Sequence, residues 1–82
     1  MQLTYDELTD TLYVYFSHEP VARTDEVTER VLVDYDAHGV VRGIELLDAS
    51  KGSTGIDIRA LPRHEDLTRA IQKARDLPAY AA

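Results

Sequence analysis

Two runs rich in β-branched and aliphatic residues, 31–35 (Val-Leu-Val-Asp-Tyr) and 40–47 (Val-Val-Arg-Gly-Ile-Glu-Leu-Leu), flank the tetrapeptide Asp36-Ala37-His38-Gly39. Aspartate at the first turn position and glycine at the fourth are the residues that a type I turn followed by a left-handed residue prefers. A chain with this pattern is committed to an antiparallel hairpin, and the hairpin itself carries no reacting group. With Asp36 against Val40, Leu32 is expected opposite Ile44, Asp34 opposite Arg42, Tyr35 opposite Val41 and Gly43 opposite Val33. Val31, Val33, Tyr35, Val41 and Leu47 then line one side, and Leu32, Ile44 and Leu46 the other. Because both sides are apolar, one-residue slips in register stay open. A glycine inside a strand also marks Gly43 as a bulge or a point of close approach.

The rest of the chain reads as a small sheet and one helix. Residues 2–5 form a short first strand, and residues 6–10 a polar break capped by Asp6. In residues 11–17, Leu12, Val14 and Phe16 alternate with Tyr13 and Tyr15, so large side chains lie on both faces of a central strand. Residues 21–27 make a weaker strand, where Arg23 and Asp25 suit an edge. A short strand at 56–59 is the weakest of these assignments. Pro62 is placed to open a helix, and Leu67, Ala70, Ile71, Ala74 and Leu77 form its apolar stripe. The expected architecture is α+β: an antiparallel, meander-like sheet of four to five strands with one C-terminal helix packed on one face. Its parts are a sheet over about 2–50, a linker over 51–61, a helix over about 62–77 and a tail over 78–82.

An 82-residue chain has a thin stability margin unless disulfides, metals or self-association help. It contains no cysteine, which removes disulfides and thiolate sites and leaves oligomerisation. The first 50 residues carry eleven acids against three arginines, while the remainder has six bases and four acids. That field repels phosphate backbones and attracts basic partners, so no nucleic acid is expected to bind. No apolar run approaches the roughly 20 residues that span a bilayer, and the N-terminus has no signal-peptide pattern. The expected compartment is the cytoplasm.

Three pieces stand together: Leu3-Thr4-Tyr5-Asp6 with Asp10-Thr11-Leu12-Tyr13-Val14 after it, Val31-Leu32-Val33-Asp34-Tyr35-Asp36, and the segment from Val41 to Ser50. In this order and spacing they resemble the uncharacterised bacterial family called domain of unknown function 2283, over about residues 1–51. The resemblance implies a small α+β unit with an antiparallel sheet and brings with it no catalytic residue, cofactor or established activity. It also implies, for some members, a place in toxin–antitoxin-like gene pairs. The helix lies outside the resemblance.

No constellation of residues points to chemistry. Asp6, Glu7 and Asp10 lack the glycine and distal glutamate of a calcium loop. His18, His38 and His64 lack zinc-ligand spacing. Ser50-Lys51-Gly52-Ser53-Thr54-Gly55 lacks the spacing of a phosphate-binding loop. Glu45 and Asp48, three apart in a strand, point to opposite faces, and Asp34 with Arg42 reads as a surface pair of small worth. Arg63, Arg69, Lys73 and Arg75 alternate with acids and have no aromatic residue among them, as on a solvated helix face.

The expectation is therefore a non-enzymatic interaction module with no catalytic, cofactor or metal residues. It is expected to self-associate as a homodimer and to bind a basic protein such as the toxin of a toxin–antitoxin-like pair. With a single helix available, one apolar sheet face is left uncovered, and the candidate interface is Leu32, Ile44 and Leu46 together with Tyr13 and Tyr15. The alternative is a small enzyme or ligand-binding protein with its site at the oligomer interface, built from Tyr13, Tyr15 and acids such as Asp48.

Overall fold

A computed structural model describes residues 1–76 of the 82. Five strands, β1 (Gln2–Asp6), β2 (Thr11–Tyr15), β3 (Arg23–Thr28), β4 (Val31–Tyr35) and β5 (Val41–Leu46), precede one helix, α1 (His64–Ala74). The sheet is antiparallel throughout, in the order β1-β2-β5-β4-β3. It is not a single meander. The β1–β2 hairpin joins a β3–β4–β5 meander through the β2–β5 ladder, so the chain crosses from β2 to the far edge before returning. β2 is an interior strand, between β1 and β5, and β3 lies at an edge, as the alternation of apolar residues and the charges of each strand imply.

The β4–β5 turn closes with Asp36 N–H donating to the Val40 carbonyl at 2.9 Å, while the Asp36 carboxylate accepts from the amides of His38 and Val40 at 2.8 and 3.0 Å. Gly39 takes the left-handed conformation that this turn requires, at φ 78°. Beyond the turn the register departs from the simple pairing. Tyr35 faces Val41, but Asp34 faces Gly43, Val33 faces Ile44 and Leu32 faces Glu45. Arg42 is an extra residue on β5, a bulge that moves every later pair by one. The reason is packing. With the bulge, Ile44 and Leu46 share a face with Val31 and Val33, and these join Leu12, Val14, Leu67, Ala70, Ile71 and Ala74 in one core.

The helix packs over β1 and β2, Ala49 and Leu61 complete the buried layer, and Ile56 and Ile58 pack against it partly buried. It begins at His64 rather than Pro62, because Arg63 sits in the left-handed region at φ 54°. Arg63 also lies 3.8 Å over the Phe16 ring and, with Arg69, holds the Asp66 carboxylate. The expected strand at 56–59 is instead a single 3-10 turn, Ile58–Ala60. Leu77 of the apolar stripe and the expected tail at 78–82 lie outside the described residues.

The loop after β5 is shaped by Arg30. Its guanidinium donates to the carbonyls of Leu47 (3.1 Å), Asp48 (2.7 Å), Gly52 (3.0 Å) and Thr54 (2.5 Å). Four carbonyl dipoles thus stand where a carboxylate partner is usual. Among the described residues, no helix is long and apolar enough to cross a membrane.

Candidate functional site

The face of the sheet opposite the helix is built by alternation. Thr4, Tyr13 and Tyr15, Gly43 and Glu45, Leu32 and Asp34, and Thr24 and Glu26 project from it because their neighbours in sequence point into the core. Its centre is Tyr13. The ring crosses the backbone of Gly43, where an added Cβ would come within 2.6 Å of the ring and its hydroxyl. Only a residue without a side chain lets the phenol reach from β2 across β5 to β4. There the Tyr13 hydroxyl donates to Asp34 Oδ2. The Thr24 hydroxyl donates to Asp34 Oδ1 at 2.5 Å, and Arg42 Nη1 donates to the Tyr13 oxygen at 2.9 Å. Arg42 Nε donates to the Glu19 carbonyl at 3.0 Å, tying the segment after β2 to the bulge.

Around this knot aromatic rings gather, with Tyr13 and Tyr15 tilted at 47° to one another. Tyr13 and Tyr15 have centroids 4.4 Å apart, the Arg42 guanidinium lies 5.1 Å from the Tyr15 centroid, and the His18 ring stacks on Tyr15 at 6.3 Å. Burial, together with the accepting carboxylate of Asp34, pushes the Tyr13 phenol up to about 12 despite the opposing Arg42 charge. Tyr13 therefore holds its proton at neutral pH, and both carboxylate oxygens of Asp34 accept protein hydrogen bonds. The arrangement is preorganised to present aromatic and acidic surface.

The residues proposed for an interface are divided between the two faces. Tyr13, Tyr15 and Leu32 lie half-buried on the open face. Ile44 and Leu46 are 0% exposed, in the core beneath it, because the Arg42 bulge rotates them inward. Leu32, Ile44 and Leu46 therefore do not form one patch. Asp34 and Arg42 do not face each other across the ladder as a surface pair; the Tyr13 hydroxyl stands between them.

The other groups singled out in the sequence have local roles. Asp6 accepts from the Leu8 amide at 2.9 Å. Asp10 leaves the acidic turn and accepts from the Tyr5 hydroxyl (2.7 Å), the Ser50 amide (2.9 Å) and the Ser50 hydroxyl (2.7 Å). Burial raises the Asp10 carboxyl, but these bonds and the Arg30 charge outweigh it and leave the group below its ordinary range. Asp48 pairs with Lys51 at 3.9 Å and takes no part in the Tyr13 network, whereas Glu45 stands on the open face opposite Leu32. Among the described residues, no three His, Cys, Asp or Glu side chains converge as metal ligands.

Sequence reasoning missed Asp10, Thr24 and Arg30 as organising residues. Apart from Tyr5, which is close to Asp10 in sequence, their partners lie 40, 10 and 17–24 positions away, beyond any local signal. Gly43 did carry a signal, as a glycine inside an otherwise β-rich run.

No curated protein and no solved structure matches the chain. Residues 2–50 match the model of the family described as protein of unknown function DUF2283. That segment holds all five strands and every residue of the Tyr13 network, and it is more than half of the sequence: the chain belongs to the DUF2283 family.

Proposed function

We propose that this domain is a non-enzymatic interaction module that offers the open sheet face to a basic protein partner, of the kind a toxin in a toxin–antitoxin-like pair would be. The observation that carries this is the composition of the face. Tyr13, Tyr15 and Leu32 supply amphipathic contact area, while Glu26, Glu45 and Asp34 surround them, with Arg42 the one base beside them among the described residues. Aromatic residues locked in place lose little freedom on binding and are the usual anchors of interfaces. A flat acidic surround steers a cationic partner and rejects an anionic one. The same acids face one another when two copies meet through this face, so the reading assigns it to a partner of opposite charge.

The test is capture from the native cell with the unaltered domain and with the Tyr15→Ala and Glu45→Lys variants as baits. The expected result is a basic protein that is lost with both variants, binds the purified domain directly and weakens as salt is raised. Direct partners that bind all three baits equally, or an acidic partner, would refute the reading.

A further inference from the structure

The two edges of the sheet differ. β3 carries Arg23, Asp25 and Glu26 in a six-residue strand, an Arg23–Asp25 ion pair at 3.4 Å, and a register shift between Glu26 and Thr28. Charges and bulges of this kind keep a strand from accepting another. β1 has none of these guards. It pairs with β2 in an unbroken five-residue register, and its only charge is the terminal Asp6, whose carboxylate is engaged by the Leu8 amide. Leu3 and Tyr5 on its core side are half-buried, at the rim of the hydrophobic cluster.

We infer that two copies of this chain associate by antiparallel pairing of β1 with β1 of the partner, about a two-fold axis at Thr4. This is the one register that pairs all five residues. Thr4 meets Thr4, Gln2 meets Asp6, and Leu3 meets Tyr5 twice. Cross-strand neighbours lie on the same face, so both Leu3–Tyr5 pairs fall on the core side, at the rim of each copy's hydrophobic cluster. No like charges oppose each other. The axis is perpendicular to the sheet, so a continuous ten-stranded sheet results with both α1 helices on one side and both Tyr13 faces on the other. Two-fold pairing of identical edges is self-complementary and closed, which avoids runaway assembly. The inference concerns the edge, and it stands whether or not the open face takes a partner.

The experiment is light scattering coupled to size exclusion across micromolar concentrations, with four variants at positions outside the core. The unaltered chain is expected at twice its 9.2 kDa mass. Thr4→Lys, which sets two ammonium groups against each other at the axis, should shift it to monomer with at least tenfold weaker association. Tyr15→Ala, on the open face, should leave the dimer intact. The chain has no cysteine, so Thr4→Cys should give a disulfide-linked dimer under mild oxidation, while Glu26→Cys on the opposite edge should not. A 9.2 kDa monomer for the unaltered chain at about 100 µM would overturn the inference. So would a dimer that ignores Thr4→Lys, or one that cross-links through Glu26→Cys instead. If Thr4→Lys fails to fold by circular dichroism, the cysteine pair decides.

Discussion

Replacing Gly43 with alanine tests whether the Tyr13 network depends on the absence of one side chain. Gly43 lies in ordinary extended backbone within β5, so alanine is acceptable conformationally and, away from any neighbour, would gain about 0.5–1 kcal/mol over glycine. Its Cβ, however, would stand 2.6 Å from the Tyr13 ring and hydroxyl. The ring must move, and the hydrogen bond to the charged Asp34 is lost. Such bonds are worth about 1.5–3 kcal/mol, and partial exposure of Tyr13 places this one near the lower end. The two effects leave a net destabilisation of about 1 kcal/mol, or about 4–8 °C in Tm for a domain of this size. In a Tyr13→Ala background the obstruction is gone, and the same substitution should stabilise by about 0.5–1 kcal/mol. Denaturant unfolding of the four proteins in this cycle reads the coupling. Equal effects of Gly43→Ala in both backgrounds would refute the steric argument.

Tyr13 also makes a prediction about alkaline stability. A phenol raised from 10.0 to about 12 by folding stabilises fully below pH 10 and loses that contribution as pH climbs through 12. The unaltered protein should weaken across that window, and Tyr13→Phe should show a flatter alkaline limb in thermal melts. On the acid side, the depressed Asp10 carboxyl contributes above its ordinary value of 3.8 and loses that contribution as pH falls further, so Asp10→Asn should blunt the decline below about pH 4. Removing Arg30 leaves four carbonyls without their donor, and Arg30→Ala should cost about 2–3 kcal/mol. Arg30→Lys should recover only part of that, since an ammonium cannot reproduce the planar fork. Amide exchange should then accelerate across residues 49–56.

Much of the sheet was legible because its signals are local. Turn chemistry at Asp36 and Gly39 and the alternation of Leu12, Val14 and Phe16 with Tyr13 and Tyr15 depend on near neighbours only. The same holds for the charges that place β3 at an edge, and for the spacing of Leu67, Ala70, Ile71 and Ala74. What only tertiary structure decided was register and position. Both hairpin registers satisfy the turn, and the choice between them lay with the core, which needs Ile44 and Leu46 beside Val31 and Val33 and places a bulge at Arg42 to obtain them. That single extra residue sent two expected surface residues inward and set Gly43 under the Tyr13 ring. It also let one phenol join Asp34 to Arg42. Long-range hydrogen bonds such as Asp10 to Ser50 and Arg30 to the loop at 47–54 follow from that packing, because their geometry exists only once the strands have met.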